Sequence, residues 1–408
     1  MARALKSWYL AVLIVALCGA FLSHKFYLGR DSRPERTKYH GEIPVGIIHS
    51  LTGTMAISED PVISGEMLAI EEINSNGGVT LNERQFQLVP HIRDGESDPK
   101  KFLEHAQSLV SELGVRAVFG GWTSASRNAM APVFAANDAL LLYPIQYEGG
   151  ESQRNVLYFG ATPNQQALPA IKWFFDSGFR DFFLIGSDYV YPRSAHKVIA
   201  KYLKSLGAQV AGELYIPLGG LVGSEDADEI VKGLPSGGVI VNTINGDSNE
   251  SFFEQLRENY LLPHNGYQTV SFSVDEAIIA QYGSKNFEGS YLSQGFFQDL
   301  KTSEAANFVS KFQERFGEGR PVGEPAATGF SMVKAWAQAV QDSGSLNPDA
   351  VMQSMKALEF ESPAGPFWVR GQNVTKQPIL ARVSHDGHMI FEARLGVIEP
   401  QPLGDPMQ

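Results

Sequence analysis

The chain has 408 residues, 43% of them hydrophobic and 19% charged, and a formal net charge of −12. That length exceeds one ordinary core and implies two lobes, and the composition is that of a folded protein rather than a disordered one. Residues 1–40 hold seven Lys or Arg and two acidic residues, so the remainder carries 26 basic against 43 acidic side chains, an excess that repels nucleic-acid phosphates.

The predicted elements begin with a targeting segment. Arg3 and Lys6 precede an uncharged stretch from Trp8 to Leu22, which is signal-peptide length and short for a membrane span. Three fates are compatible with it: cleavage near Ala20, retention as a membrane anchor, or lipidation at Cys18, for which Leu17 is a poor neighbour. Cys18 is the single cysteine, so the exported part has neither disulfide nor thiol chemistry. Residues 24–41 are polar and read as a tether.

From Ile43 onward strand and helix alternate. Val45–Ile48 reads as a strand, Pro61–Asn74 as a helix opening at a proline and ended by Asn76-Gly77-Gly78. Phe86–Pro90 is the next strand and Pro99–Leu113 an amphipathic helix with Phe102, Ala106, Leu109 and Leu113 on one stripe. A strand at 115–119 and a helix from about Ser126 to Ala136 complete a βαβαβ rhythm, the signature of a doubly wound parallel sheet. A second series follows: a helix beyond Gln165, strand 182–185, helix 192–206, a strand near Tyr215, strand 239–241, helix 249–259 and strand 269–272. Gly289–Phe296 reads as a segment crossing between lobes. Helices are predicted at Ser303–Phe316 and Pro325–Asp342, then hairpin strands at Phe367–Val369, Ile379–Val383 and Met389–Glu392, with Asp386-Gly387 as a turn. That turn also accounts for His385 and His388, so no metal site is assigned to them.

Five of the apolar runs end in short polar and aromatic loops: Gly120–Ser126, Tyr143–Gly149, Gly186–Arg193, Asn242–Asn249 and Ser271–Ser273. Short apolar runs of this kind are buried parallel strands, and ligands of open α/β sheets sit outside the carboxyl ends of such strands. Hydroxyls, amides and aromatic rings gathered there suit a small, neutral, polar ligand. No nucleophile elbow, Walker loop or dinucleotide-binding glycine pattern is present, and the sequence reads as a non-enzyme without cofactor or metal.

Six strings then carry a resemblance: His49–Ala56, Trp122–Arg127, Tyr143–Gly149, Ala161–Gln166, Gly186–Arg193 and Asn245–Asn249, with Gly365-Pro366 nearer the C-terminus. In order, they resemble the substrate-binding proteins of branched-chain amino-acid type ABC transporters, and within them the urea and short-chain amide branch. The chain departs from the urea branch at Gly121, at Tyr191 and in the 217–227 loop. The resemblance implies a type I periplasmic binding protein: two doubly wound parallel-sheet lobes joined by a multi-strand hinge. Its expected parts are residues 1–40 as leader and tether, 41–162 plus 291–345 as lobe 1, 163–290 plus 346–396 as lobe 2, and 397–408 as a tail, with crossings near 160–164, 287–292 and 345–365. It implies a ligand enclosed between lobes, with Trp122, Thr123, Ser124 and Tyr143 on one side and Asp188, Tyr189, Tyr191, Asn245 and Asp247 on the other. It further implies an extracytoplasmic receptor, periplasmic or tethered to the outer face of the cytoplasmic membrane, that delivers urea or an amide to ABC transporter permease subunits. A tethered amide sensor signalling to a partner protein is the alternative.

The same residues admit plainer readings. Trp122 and Tyr143 fit as core aromatics, Asp188 and Asp247 as helix caps. Arg193 reads as half of a structural ion pair and Glu148, before Gly149-Gly150, as a loop residue.

Overall fold

The computed structural model describes residues 39–401. The first series consists of β1 (Gly41–His49), α1 (Ala56–Ser75), β2 (Val79–Leu81), β3 (Arg84–Asp94), α2 (Pro99–Gln107, continued by a π-helical turn to Glu112), β4 (Ala117–Gly120), α3 (Ser124–Ala136), β5 (Leu140–Tyr143) and β6 (Val156–Tyr158). The second consists of α4 (Ala167–Asp176), β7 (Asp181–Ser187), α5 (Val190–Leu206), β8 (Gln209–Ile216), α6 (Ser224–Gly233), β9 (Gly238–Thr243), α7 (Ser248–Glu258), β10 (Tyr267–Ser271), α8 (Glu276–Tyr282), α9 (Ser284–Phe287) and β11 (Tyr291–Gln294). After α10 (Ser303–Phe316), α11 (Glu324–Ser343) and α12 (Pro348–Ala357) come β12 (Glu359–Phe360), β13 (Phe367–Arg370), β14 (Asn373–Val374), β15 (Ile379–Val383) and β16 (Met389–Arg394).

The strands form two sheets, ordered β12-β13-β14-β6-β5-β4-β1-β3-β2 and β16-β15-β11-β10-β9-β7-β8. The central pairs of both are parallel, and β2, β12, β13, β15 and β16 add antiparallel edges. The two doubly wound lobes expected from the sequence are therefore present. Their strands are continuous apolar runs because helices cover both faces: Val239, Ile240 and Val241 of β9 are fully buried. Each such side chain contributes roughly 1.5–3 kcal/mol of transfer free energy. Phe119 of β4 meets Trp336 of α11 edge-on, ring centroids 5.6 Å apart, and this contact seats the long helix α11 on the first sheet.

Several boundaries differ from expectation. The first helix begins at Ala56, not Pro61, because the Gly53–Met55 turn already accepts the amides of Ala56, Ser58 and Glu59; Pro61 sits inside it. The helices α6 and α12 have no counterpart in the sequence reading. Gly289–Phe296 is not a crossing segment: residues 291–294 are β11, paired with β10 and β15 in the second sheet. Residues 359–374, expected in lobe 2, pair instead with β6 in the first sheet through β14. The chain therefore crosses between sheets at 159–166, as expected, but also at 295–323 and at 375–378, rather than near 287–292 and 345–365. The tail is not free where described. Ile398 exchanges two main-chain hydrogen bonds with Lys376, Gln165 donates to the carbonyls of Val374 and Ile398, and Asn164 donates to the carbonyl of Glu399. The targeting segment, the tether up to residue 38 and the last seven residues lie outside the described residues.

Candidate binding cleft

Strand order reverses around β1 and β4 in the first sheet and around β7 and β9 in the second, which makes these strand ends the switch points where ligands of open sheets collect. The loops that follow β1, β4, β7 and β9 meet there. Gly120 and Gly121 lie at φ +147° and +85°, and a Cβ on Gly120 would come within 2.0 Å of the Ile48 carbonyl oxygen. Only glycine permits the tight departure from β4 that delivers Trp122 to the cleft.

Trp122 is buried and crosses the cleft: its indole N–H donates to Asn245 Oδ1 at 2.9 Å. Its carbonyl accepts from the Tyr143 hydroxyl. Asn245 is held in turn by its own main-chain N–H to Ser187 Oγ and by its amide to the Thr243 carbonyl. A second bridge between lobes joins the Thr54 hydroxyl to Asp247. A third runs from the Gln146 amide to the Phe272 carbonyl and Ser273 Oγ at 3.2 and 2.9 Å. Gly246 lies so near the opposite lobe that a Cβ would stand 2.6 Å from the Thr54 carbonyl oxygen. The lobes are closed on one another.

Behind Trp122 lies a small, partly open cavity of about 20 Å³, where a single water needs ~10–15 Å³. Pro144, Ile145 and Gln146 wall it from the first lobe, Phe272, Ser273, Asp275 and Gln294 from the second, with Glu324 at the start of α11 and Lys376 at a crossing. Of the nine residues assigned from the sequence, Trp122 alone lines this cavity. Tyr143 and Asn245 hold Trp122 in place. Thr123 caps α3 by accepting from Ser126 N–H. Asp188 is exposed and pairs with Arg193 at 2.6 Å, the ion pair expected of Arg193; Asp247 is exposed at the rim of a larger open hollow. Neither aspartate caps a helix through its side chain.

Ser124 belongs to a cluster that the sequence reading did not assemble. Its hydroxyl donates to Glu148 Oε2 at 2.6 Å, and Glu148 Oε1 takes Arg127 Nη2 at 2.6 Å. Arg127 is fully buried, also bonds Glu151 at 2.8 Å, and has the rings of Tyr143, Tyr147 and Tyr158 within 4.9–5.6 Å. Burial pushes the Glu148 carboxyl up, but the guanidinium beside it holds it below the usual carboxylate range; Glu151, less favourably placed, is raised by burial and by Glu148. Burial raises the Tyr189 and Tyr191 hydroxyls, and Glu148 lies near enough to both to raise them further. Arg127 falls inside the string Trp122–Arg127, so its position was visible; its buried pairing with Glu148 was not. A further buried triad anchors the end of β1: His49 Nδ1 and Nε2 lie 2.9 and 3.1 Å from Glu59 and Glu66 of α1.

A family profile described as "Periplasmic binding protein domain" matches residues 43–406. The chain belongs to that family. A Leu/Ile/Val-binding protein of Rhizobium johnstonii is 33% identical over 137 residues, 33% of this chain and 36% of that protein, so the match spans about a third of the relative's length. The leucine-, isoleucine-, valine-, threonine- and alanine-binding protein of Pseudomonas aeruginosa is 24% identical over 332 residues, 79% of this chain and 84% of that one. Among solved structures, an ABC transporter solute-binding protein from Rhodopseudomonas palustris in complex with benzoate superposes with a TM-score of 0.79 at 17% identity, covering 89% of this chain and 99% of its own. A branched-chain amino-acid ABC transporter ligand-binding protein from Burkholderia xenovorans gives 0.73 at 18%, covering 87% and 96%. Family membership makes this chain a binding protein of the periplasmic type. Among the described residues no helix is long and apolar enough to cross a membrane, and no cluster of three or more His, Cys, Asp or Glu could hold a metal ion.

Proposed function

We propose that the protein captures urea or a short aliphatic amide between its lobes and delivers it to the permease of an ABC transporter. The observation that carries this reading is the size and polarity of the small cavity between the lobes. At about 20 Å³ it is near the scale of one or two waters, so a planar molecule of urea's size needs only a slight parting of the lobes, whereas an aromatic acid needs a much wider one. Its walls offer hydrogen-bond acceptors and two carboxyl groups against one ammonium, Lys376, which already lies 3.7 Å from Glu324. An N–H-rich neutral ligand suits these groups, and an anion leaves them repelled or unpaired. Ligand contacts with both lobes would add to the Trp122–Asn245 bridge and favour the closed form, the shape a permease would read.

Calorimetric titration of ligand-stripped protein with urea, formamide, acetamide, leucine and benzoate tests this. Binding of urea or an amide with leucine and benzoate silent is the expected result. Binding of leucine or benzoate in place of every amide overturns it.

A further inference from the structure

Two acceptors in the cavity wall have no hydrogen-bond partner although both residues are 3% exposed: Asp275 Oδ2 and Gln294 Oε1. Their other polar atoms are used. Asp275 Oδ1 caps α8 by accepting from Ile278 N–H, and the Gln294 amide donates to the Val274 carbonyl at 2.5 Å. Buried acceptors in native proteins are almost always satisfied, so two unmet ones on residues that wall the same small space between lobes call for a donor that arrives from outside when the lobes part. We propose that Asp275 and Gln294 are the specificity-determining acceptors of this receptor, taking the N–H groups of the bound ligand. This rests on the reading of the cavity as the ligand site and names the residues that choose its ligand. It also moves acid recognition away from Asp188 and Asp247, which are exposed and already paired.

Electrostatics agree with the geometry. Burial, helped by the charge on Glu324 of α11, pushes the Asp275 carboxyl up to about 6. Lys376 on the third crossing pairs with Glu324, and Glu276 on the same helix as Asp275 is raised by burial and by Asp275 itself. Below about pH 6, Asp275 takes a proton, its Oδ2 becomes a donor, and a ligand N–H group loses its acceptor. Affinity for urea or an amide should therefore fall about tenfold between pH 7.5 and pH 5.

The test compares acetamide with acetate, which share a shape and differ in the group that donates. In Asp275→Asn the Oδ1 cap survives while Oδ2 is replaced by an N–H donor, so the fold is kept. The expected result is at least a tenfold loss of acetamide and urea affinity, a relative gain for acetate, and loss of the pH dependence. Gln294→Met, which removes the second acceptor, should also weaken amide and urea binding. Wild-type protein that binds urea or acetamide, with Asp275→Asn unchanged, overturns this inference and leaves the proposed function standing. Protein that binds leucine instead, with affinity reduced by Asp275→Asn, does the reverse. Silence towards every N–H ligand overturns both.

Discussion

Replacing Arg127 by methionine should be among the most damaging single changes in the first lobe. The methionine fills much of the volume between Tyr143, Tyr147 and Tyr158 but removes two ion pairs, at 2.6 and 2.8 Å, and leaves the Glu148 carboxylate 8% exposed with no cation. Breaking a buried pair from one side costs ~3–5 kcal/mol, and the lost guanidinium–ring contacts add to it, each by roughly 0.5–2 kcal/mol. Partial protonation of Glu148 and its bond from Ser124 offset some of this, so a loss of about 4 kcal/mol is expected at pH 7. The double variant Arg127→Met with Glu148→Gln removes the stranded charge and should recover about 2 kcal/mol of it. Guanidinium chloride unfolding followed by tryptophan fluorescence measures both; urea is unsuitable because it is a proposed ligand. The sign with pH is also fixed. Glu148 is held below its ordinary value, so its share of stability is present at neutral pH and lost as pH falls through that lowered value, and the single variant should lack this acid dependence. A loss below about 1 kcal/mol, or no recovery in the double variant, would refute the claim that the pair is a buried, mutually dependent unit.

Further predictions follow from the closed cleft and from β1. Gly246→Ala places a methyl group against the Thr54 carbonyl at a backbone φ of +69°, so closure should fail: ligand affinity drops at least ~10-fold, and small-angle scattering keeps the open dimensions at saturating ligand. Trp122→Phe retains the ring but not the donor to Asn245; loss of one cross-cleft hydrogen bond, about 1 kcal/mol, should weaken binding roughly fivefold in calorimetry, with unfolding little changed. Burial disfavours charge on His49, but Glu66 and Glu59 outweigh it and raise the imidazole to about 9. Its folded value lies above its unfolded one, so this stability is complete below about pH 6.5 and is lost as pH rises through 9, an amount on the order of 3 kcal/mol. Denaturation midpoints between pH 6.5 and 9.5 should fall in the wild type and stay flatter in His49→Gln.

The sheets were legible because their central strands are short apolar runs with punctuated ends, and the cleft was legible because polar loops follow those runs. Trp122 and Asn245 belong to two such loops and bond to one another across the cleft. What escaped was short. The helix at Ser224–Gly233 is short and rich in acidic residues, and the strand Tyr291–Gln294 ends in Ser-Gln, as a loop might; its membership in the second sheet is decided by β15, about ninety residues on. Displacing that strand displaced one crossing, and the pairing of residues 359–374 with the first sheet displaced another. Glu148 looked like a loop residue because a partner 21 positions earlier neutralises it only once α3 is folded. Asp275 and Gln294 stand out by bonds they do not make, a property that exists only in three dimensions.

The lacing of Ile398 to Lys376, and of Asn164 and Gln165 to the same strap, has a mechanical consequence. Tension applied at the C-terminal end would be borne by a few hydrogen bonds across two crossings before it reached either sheet. A load there, whether from a pulling experiment or a bulky fusion, would loosen the pivot first and leave the lobes folded, so a single-molecule trace should show a small early release ahead of the large unfolding steps.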